Sequence, residues 1–386
     1  MNFELGSDYV MLRNSVRDFA ENEIRPVAKQ LDEKEEFSLE ITKKMGEMGF
    51  LGITVSPEFG GQGLDYLSYI IIVEELARVD ASQAATVAAH NSLGTGPIFR
   101  YGSKKQKEKY LPGLTAGKAL WAFGLTEPNA GSDSNGTNTS AVRTEQGWIL
   151  NGQKTFITNG DTPLTIGATI KALTGIKDKG HKEFSCFLLE TGTPGFTTST
   201  LKGKMMWRAS NTAELFMSDC FVPEENLLGK IGEGSKIMLS TLDSGRLAIA
   251  AMGLGCAQGA FELALKYSKT RKQFGRFIGN FEVNSFKLAD MAMKIELART
   301  FLYKACWLKD NNKPFTTEAA MAKLYCSEIA REVADEALQI HGGYGLMKEY
   351  EIERFYRDQR LLQIGEGTSE IQRIVIARQL GLNPIF

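Results

Sequence analysis

Histidine and cysteine are scarce in this sequence, and their scarcity removes whole classes of chemistry. Only three His occur (His90, His181, His341), none at HxxxH or HxH spacing, and five Cys (Cys186, Cys220, Cys256, Cys306, Cys326) are scattered with no CxxC pair. A zinc site needs several such ligands at close spacing, so no metal site is expected. Isolated cysteines in odd number point to buried thiols in a reducing compartment. Charge of one sign is not in excess either: 45 Lys and Arg stand against 46 Asp and Glu, a net charge of -1. A chain so balanced is not built to neutralise a phosphate backbone, which disfavours nucleic acid as a partner. Apolar stretches such as Leu247 to Gly255 are short and full of Ala and Gly, so no membrane span is expected. Met1 leads into polar Asn2 and Glu4 rather than into an apolar or Arg-rich leader, the pattern of a protein that is not exported. What remains is chemistry by an organic cofactor, or by a nucleophile and its base.

What is present is an ordinary globular mix, 386 residues with 43% apolar and 24% charged, enough for roughly two to three domains by length. Residues 1–120 carry a helical pattern. Leu12, Val16, Phe19, Ile24 and Val27 recur at helical spacing, with Pro26 at a bend or near a helix end. Ser68 to Ala77 and Lys104 to Leu111 continue it. The Lys104-Lys105-Gln106-Lys107 run could meet a phosphate, but interleaved Glu108 and amphipathic spacing favour a solvated helix face. From 121 to 230 the texture turns to Thr, Gly, Ser and β-branched residues. Runs such as Trp148 to Leu150, Thr155 to Thr158 and Phe184 to Leu189 predict strands joined by tight turns, as in a small barrel or sandwich. From 231 to 386 helices return. Leu288, Met291, Ile295, Ala298, Leu302 and Ala305 form one apolar stripe and Met293, Leu297, Phe301 and Leu308 a second. A helix apolar on two sides is covered on two sides, by a bundle or by a second subunit. Strands and helices do not alternate along the chain, so a parallel sheet is not expected.

Two glycine clusters mislead. Gly229 to Lys236 approaches a P-loop, but Ser235 and Lys236 stand in reversed order and no strand clearly feeds it. Gly253, Gly255 and Gly259 lie inside a helical pattern with the wrong spacing for a dinucleotide fingerprint, and close helix packing is the better reading. Three other segments are more informative. Phe123 to Asp133 enters the β region with backbone donors and small hydroxyls. Gln339 to Leu346 ends a long helix with glycines that permit close approach to a pyrophosphate or a ribityl chain. Ile364 to Arg373 sets Glu366 between Gly365 and Gly367, just before an apolar helix. Alone, that third segment is open to two readings. Thr368 or Ser369 could simply cap the helix, or Glu366 could enter a ligand cavity where burial raises its pKa towards that of a working base.

Together and in this order, the three segments resemble the acyl-CoA dehydrogenase family of flavoenzymes. The resemblance runs from the Pro57 to Gly61 turn to Ile374 to Arg378. It takes in both signature segments, Gly124 to Gly136 and Gln339 through Arg354 to Asp358, and the Arg271-Lys272-Gln273-Phe274-Gly275 motif. It implies an all-α amino-terminal domain (1–120), a β-barrel middle domain (121–230) and a carboxy-terminal four-helix bundle (231–386) around one FAD. The family's base falls on Glu366. It would take the α-proton of an acyl-CoA while flavin N5 accepts the β-hydrogen as hydride. The developing enolate would be held by the Glu366 N–H and a ribityl hydroxyl.

By the same matching, Phe123, Leu125, Thr126, Gly131, Ser132, Phe156 and Thr158 line the flavin. Phe156 stands where many relatives carry Trp. Arg271, Gln273 and Phe274 reach the FAD of a neighbouring subunit, Gln339 and Gly343 flank its pyrophosphate, and Thr368 and Glu370 meet its adenosine end. Ser132, Asp243 and Arg246 match CoA-contacting positions, with Gly365 and Gly367 beside the acyl group. Arg246 keeps a second reading, a simple pair with Asp243. Some relatives carry the base at the position of Gly245, which cannot act here. The resemblance further implies a homotetramer, a dimer of dimers, that passes electrons to electron-transferring flavoprotein. It places the chain in a bacterial cytoplasm, or in the mitochondrial matrix if it is a processed chain.

Gly365 replaces a Tyr found in many straight-chain members, which would open space for a branched or cyclic acyl group, and Gly245 would add room. No Arg lies between Ala84 and Asn91, where relatives that handle dicarboxylates place one. The alternatives are an oxygen-using oxidase, a nitroalkane-oxidising relative (which would carry Asp as its base) and a non-catalytic acyl-CoA-binding or scaffold protein.

Overall fold

The computed structural model describes residues 4–384; Met1 and Asn2, on which the leader expectation partly rests, lie outside them. Seven helices come first: α1 Ser7–Phe19, α2 Arg25–Lys34, α3 Leu39–Glu47, α4 Tyr66–Ala77, α5 Ala81–Ala89, α6 Gly96–Tyr101 and α7 Lys104–Thr115. Their starts are written locally. Asp65 and Asp80 accept from Ser68 N and Gln83 N to cap α4 and α5, and Ser103 with Gln106 forms a capping box on α7. Pro26 stands in the first turn of α2, just past a wide turn at Ala20–Ile24, where its missing N–H costs nothing. Lys104 pairs with Glu108 on the outer face of α7, as a solvated face requires.

The middle domain holds β1 Leu120–Gly124, β2 Ser140–Arg143, β3 Gly147–Thr158, β4 Thr165–Ile176, β5 Lys182–Glu190, β6 Phe196–Thr200, β7 Thr212–Pro223 and β8 Leu227–Leu228. They form one sheet in the order β6-β7-β3-β2-β4-β5-β8, with β1 added on β4. Most pairings are antiparallel, but β1–β4 and β2–β4 are parallel. That departs from expectation. A strand arriving from the helical domain can lie along β4 without an intervening helix inside the sheet. The short β8 also feeds the Gly229 to Lys236 turn directly, a strand too short to be legible in sequence.

The carboxy-terminal helices are α8 Gly234–Thr270, α9 Glu282–Asp310, α10 Thr316–His341, α11 Ile352–Asp358 and α12 Ser369–Gln379. Contrary to expectation, α8 is long and apolar enough to cross a membrane. Ala, Leu, Ile and Met raise the hydropathy of one 18-residue window of this 37-residue helix, and 78% of that window is buried inside the structure. It is the central packing helix. A Cβ at Gly253 would come 2.7 Å from the Cys326 carbonyl on α10, and one at Gly255 would collide with the Glu74 carbonyl on α4. The glycines are there for backbone approach, not for a dinucleotide.

One apolar core runs through the amino- and carboxy-terminal helices and a second fills the β domain. A third, with Tyr110, Trp121, Leu188 and Ile237, joins α7, β1, β5 and α8. The three parts therefore pack as one unit. All five cysteines are buried free thiols.

Candidate active site

Glu366 sits in the turn between α11 and α12 with φ +53°, followed by Gly367 at φ +96°. A left-handed backbone at a non-glycine residue costs about 1 kcal/mol or more and persists only where surrounding packing holds it. Here the turn swings the carboxyl inward onto α8. A Cβ at Gly245 would collide with Oε2 of Glu366, so the carboxylate lies directly over the bare backbone of Gly245. That corrects one expectation: Gly245 gives no spare room to a substrate, because the Glu366 carboxylate fills it. The residue is partly exposed as a whole, yet its Oε2 is enclosed and has no hydrogen-bond partner.

Burial pushes the Glu366 carboxyl up to about 7, against the pull of Lys323 and Arg246, which favour its charged form. Lys323 on α10 is fully buried and donates to the Gly367 carbonyl at 2.7 Å. Burial in turn draws its ammonium down to about 8, partly offset by Glu366. Arg246 is buried on α8 and hydrogen-bonds to Asp243, which also accepts from Thr316 Oγ1 at 3.1 Å. The simple pair is thus real, but it leaves Arg246 Nε buried and unpartnered, so it does not use the guanidinium up. Asp358 is also raised to about 7 by burial, but it accepts from Trp207 N at 2.7 Å and serves to tie the β domain to α11. Asp80 is likewise raised by burial and has an Oδ2 without a hydrogen bond, but that oxygen lies 3.6 Å from Arg354 Nε and its other oxygen caps α5. Among the described residues, Glu366 is the raised carboxyl with an unpartnered oxygen and no ion pair.

The middle-domain residues form a second group. Thr155 N donates to the Thr126 carbonyl at 2.9 Å, which holds the segment after β1 against β3. Phe123 is buried and Leu125, Thr126 and Thr158 are partly so, while Gly131 and Ser132 are exposed. Phe156 is held at φ +59° with its ring turned to the outside. Beneath this face lies a salt bridge not anticipated from sequence. Glu127 Oε1 accepts from the fully buried Lys154 at 2.7 Å, and its two oxygens also take Asn138 N and Thr139 N at 2.7 and 3.0 Å.

Arg271, Gln273, Gly343 and Tyr344 line a separate cleft of about 560 Å³. The Arg271 guanidinium lies 5.4 Å from the Tyr344 ring centre. Gln339 is exposed at the end of α10, and Phe274, 92% exposed, projects from a small hairpin. Among the described residues no hydrogen bond joins this cleft to the Phe123–Ser132 segment of the same chain. Ser132 likewise makes none with Asp243 or Arg246. Thr368 caps α12 by accepting from Ile371 N at 3.2 Å, and Glu370 is exposed beside it. The cap reading and the base reading of Ile364 to Arg373 are therefore compatible.

The structure thus brings together Glu366, Gly367, Gly245, Arg246 and Asp243. The positions on and beside β1 and β3 form one separate group, Arg271, Gln273 and Gly343 line another, and Thr368 and Glu370 stand at the start of α12. Sequence reasoning missed Lys323, Lys154 and Glu127. The signal for Lys323 was available: it stands on the stripe Ala319, Ala322, Cys326 and Ala330, where an apolar residue is expected.

Profiles of the acyl-CoA dehydrogenase amino-terminal, middle and carboxy-terminal domains match residues 7–118, 122–220 and 232–381. The chain belongs to the acyl-CoA dehydrogenase family. It is 49% identical over 380 residues to a probable acyl-CoA dehydrogenase, YngJ, of Bacillus subtilis, covering 98% of this chain and 100% of that one. It is 44% identical to subunit CarC of the caffeyl-CoA reductase-Etf complex of Acetobacterium woodii, over 96% and 97% of the two chains. The solved butyryl-CoA dehydrogenase of Megasphaera elsdenii superposes with a TM-score of 0.95 at 43% identity, covering 98% and 100%. The protein is accordingly an acyl-CoA dehydrogenase and an FAD flavoprotein, with the helical, β and helical domains of that family. The chain's own surfaces fit such a cofactor. A Cβ at Gly131, Gly342 or Gly343 would meet open space, and Phe156 offers a free aromatic face beside Thr158.

Proposed function

We propose that this enzyme dehydrogenates a short- to medium-chain acyl-CoA to the 2-enoyl-CoA with Glu366 as the base. One observation carries the reading: Oε2 of Glu366 is enclosed and unpartnered and its carboxyl is raised to about 7, so the group can both take and release a proton near neutral pH. An ordinary thioester α-proton is too weakly acidic for a carboxylate in water. Excluding water and holding the developing enolate oxygen bring the two closer in pKa. Among the described residues the Glu366 backbone N–H has no protein acceptor, which leaves it available for that oxygen. FAD, when bound, supplies the acceptor for the β-hydrogen as hydride. Phe123, Leu125, Thr126, Gly131, Ser132, Phe156 and Thr158 would hold its isoalloxazine end. Arg271, Gln273, Phe274, Gln339 and Gly343 would hold the pyrophosphate, and Thr368 and Glu370 the adenosine, with part of each site supplied by a neighbouring subunit of a homotetramer. Ser132, Asp243 and Arg246 would contact the CoA thioester.

Electron-transferring flavoprotein is the proposed acceptor, supported by the Etf-associated relative. For the substrate, the butyryl-CoA dehydrogenase likeness favours a short chain. A Cβ at Gly365 would have only Leu361 near it, at 3.6 Å, so the glycine leaves usable space beside the base and Gly367 adds none of its own. Butyryl-, octanoyl-, isobutyryl- and cyclohexanecarboxyl-CoA mixed anaerobically with the yellow enzyme should bleach it, fastest for a short or branched chain. Bleaching by the straight-chain substrates alone would refute the open-pocket reading. Rapid turnover in air without an acceptor would mark an oxidase instead.

A further inference from the structure

Glu366 is held in an unfavourable backbone conformation, so something must clamp it. The carbonyl of Gly367, the next residue, accepts from two buried donors on different helices: Lys323 Nζ on α10 at 2.7 Å and Gln372 Nε2 on α12 at 2.9 Å. Gln372 Nε2 also reaches the Glu366 carbonyl at 3.4 Å. Both side chains are 0% exposed. A Cβ at Gly367 would come 2.7 Å from Gln372 Nε2, so glycine is required for the clamp to close.

The choice of lysine is the telling part. Its ammonium has three donors, and Gly367 O is the one protein acceptor found for it among the described residues. A buried cation so poorly partnered is costly unless a charge nearby compensates it. An amide or hydroxyl would have satisfied the Gly367 carbonyl more cheaply. The compensating group is the carboxylate of Glu366 itself.

We propose that Lys323 is a positioning residue for the base: its ammonium pins the Gly367 carbonyl to fix the left-handed turn and keeps the neighbouring carboxylate ionised and aimed over Gly245. The inference rests on Glu366 being the base. Other charged or titratable groups near this carboxylate are Arg246, with Asp243 behind it, on α8, and Tyr66 and Tyr69 on α4. Glu370 on α12 acts on Lys323. Arg246 pairs with Asp243 through one guanidinium nitrogen and acts on the carboxylate from α8, and both tyrosines donate to backbone carbonyls, Tyr66 to Ser244 O and Tyr69 to Ala88 O. None of them can replace a cation on the Gly367 side.

The test uses the holoenzyme with Lys323→Met, which removes bond and charge, and Lys323→Gln, which keeps a donor for Gly367 O without the charge. Flavin reduction by butyryl-CoA is followed against pH, and the Glu366 carboxyl stretch is isolated as the infrared difference between each background and its Glu366→Gln counterpart. Lys323→Met should move the acidic limb up by about one pH unit or more and lower the plateau by about tenfold or more. Lys323→Gln should regain plateau but keep the shifted limb and the shifted infrared titration. A purely structural lysine would lower thermal stability and leave both titrations in place, and that result in either variant overturns the proposal. If Glu366→Gln alone still bleaches at the original rate, it is the base assignment that fails, not the clamp.

Discussion

Glu366 and Gly245 share one volume, and each is legible only through the other. Gly245→Ala places a methyl group where the carboxylate now lies, which must turn the base away from α8. We expect the folded, yellow protein to lose about a hundredfold in the rate of flavin reduction, measured by stopped flow; an unchanged rate would show that the carboxylate works from another position. The raised carboxyl also carries a stability signature. A carboxyl near 7 in the folded chain, against about 4.5 unfolded, keeps its proton while the unfolded chain loses one, so stability falls as pH rises through that window and stays lower above it. Glu366→Gln does not titrate. Its melting temperature, offset as a whole by the loss of the counter-charge to Lys323, should therefore lack the fall, equivalent to about 1–3 kcal/mol, that the parent apoprotein shows as pH rises from 4.5 to about 7. Melting scans at several pH values check both sign and window.

At the level of elements, the helical and strand segments were legible because their apolar periods are simple. The glycines of α8 were legible as packing positions because they fall inside a helical stripe. What escaped was polar and buried. Lys154 stands in β3 between register shifts at Leu150/Gly152 and Lys154/Ile157, so no regular alternation shows that its ammonium turns in to meet Glu127. Burial draws the Lys154 ammonium down and Glu127 opposes that shift; for Glu127, burial pushes up but Lys154 and the backbone donors win and hold it low. The pair stands under the Leu125–Thr126 stretch, whose Leu125 carbonyl also accepts from Lys154 at 3.3 Å. Lys154→Met would strand Glu127 without its counter-ion, at a cost of about 3 kcal/mol or more. The expected result is a lower melting temperature and a fall in FAD content, read from the ratio of visible to ultraviolet absorbance. Full flavin content would separate this salt bridge from the cofactor face. The parallel β1–β4 pairing escaped for a different reason, since strand partners far apart in the chain leave no mark on local periodicity.

Across the whole molecule, the scarcity of His and Cys proved the better guide than the net charge, because a sum near zero conceals the cations gathered at Arg246, Lys323 and Arg271. The second apolar stripe of α9 is only partly covered within one chain, with Phe301 packed against the core and Leu308 half-buried. Met293 and Leu297 are each 56% exposed and lie on the same helix as exposed Phe286 and Trp307. Together with the projecting Phe274 hairpin, this face supports the proposed homotetramer. Met293→Glu with Leu297→Glu should dissociate it in sedimentation runs and release FAD with it, because Arg271, Gln273 and Phe274 would lose their neighbour; a dissociated chain that keeps its flavin would contradict the shared site. The most direct measurement remains at the base itself. Butyryl-CoA, with and without deuterium at the α-carbon, is mixed anaerobically with the parent enzyme and with Glu366→Gln. The parent should bleach, more slowly with the deuterated substrate, while Glu366→Gln stays yellow and binds substrate without bleaching. Bleaching of Glu366→Gln at the parent rate would contradict the assignment of the base.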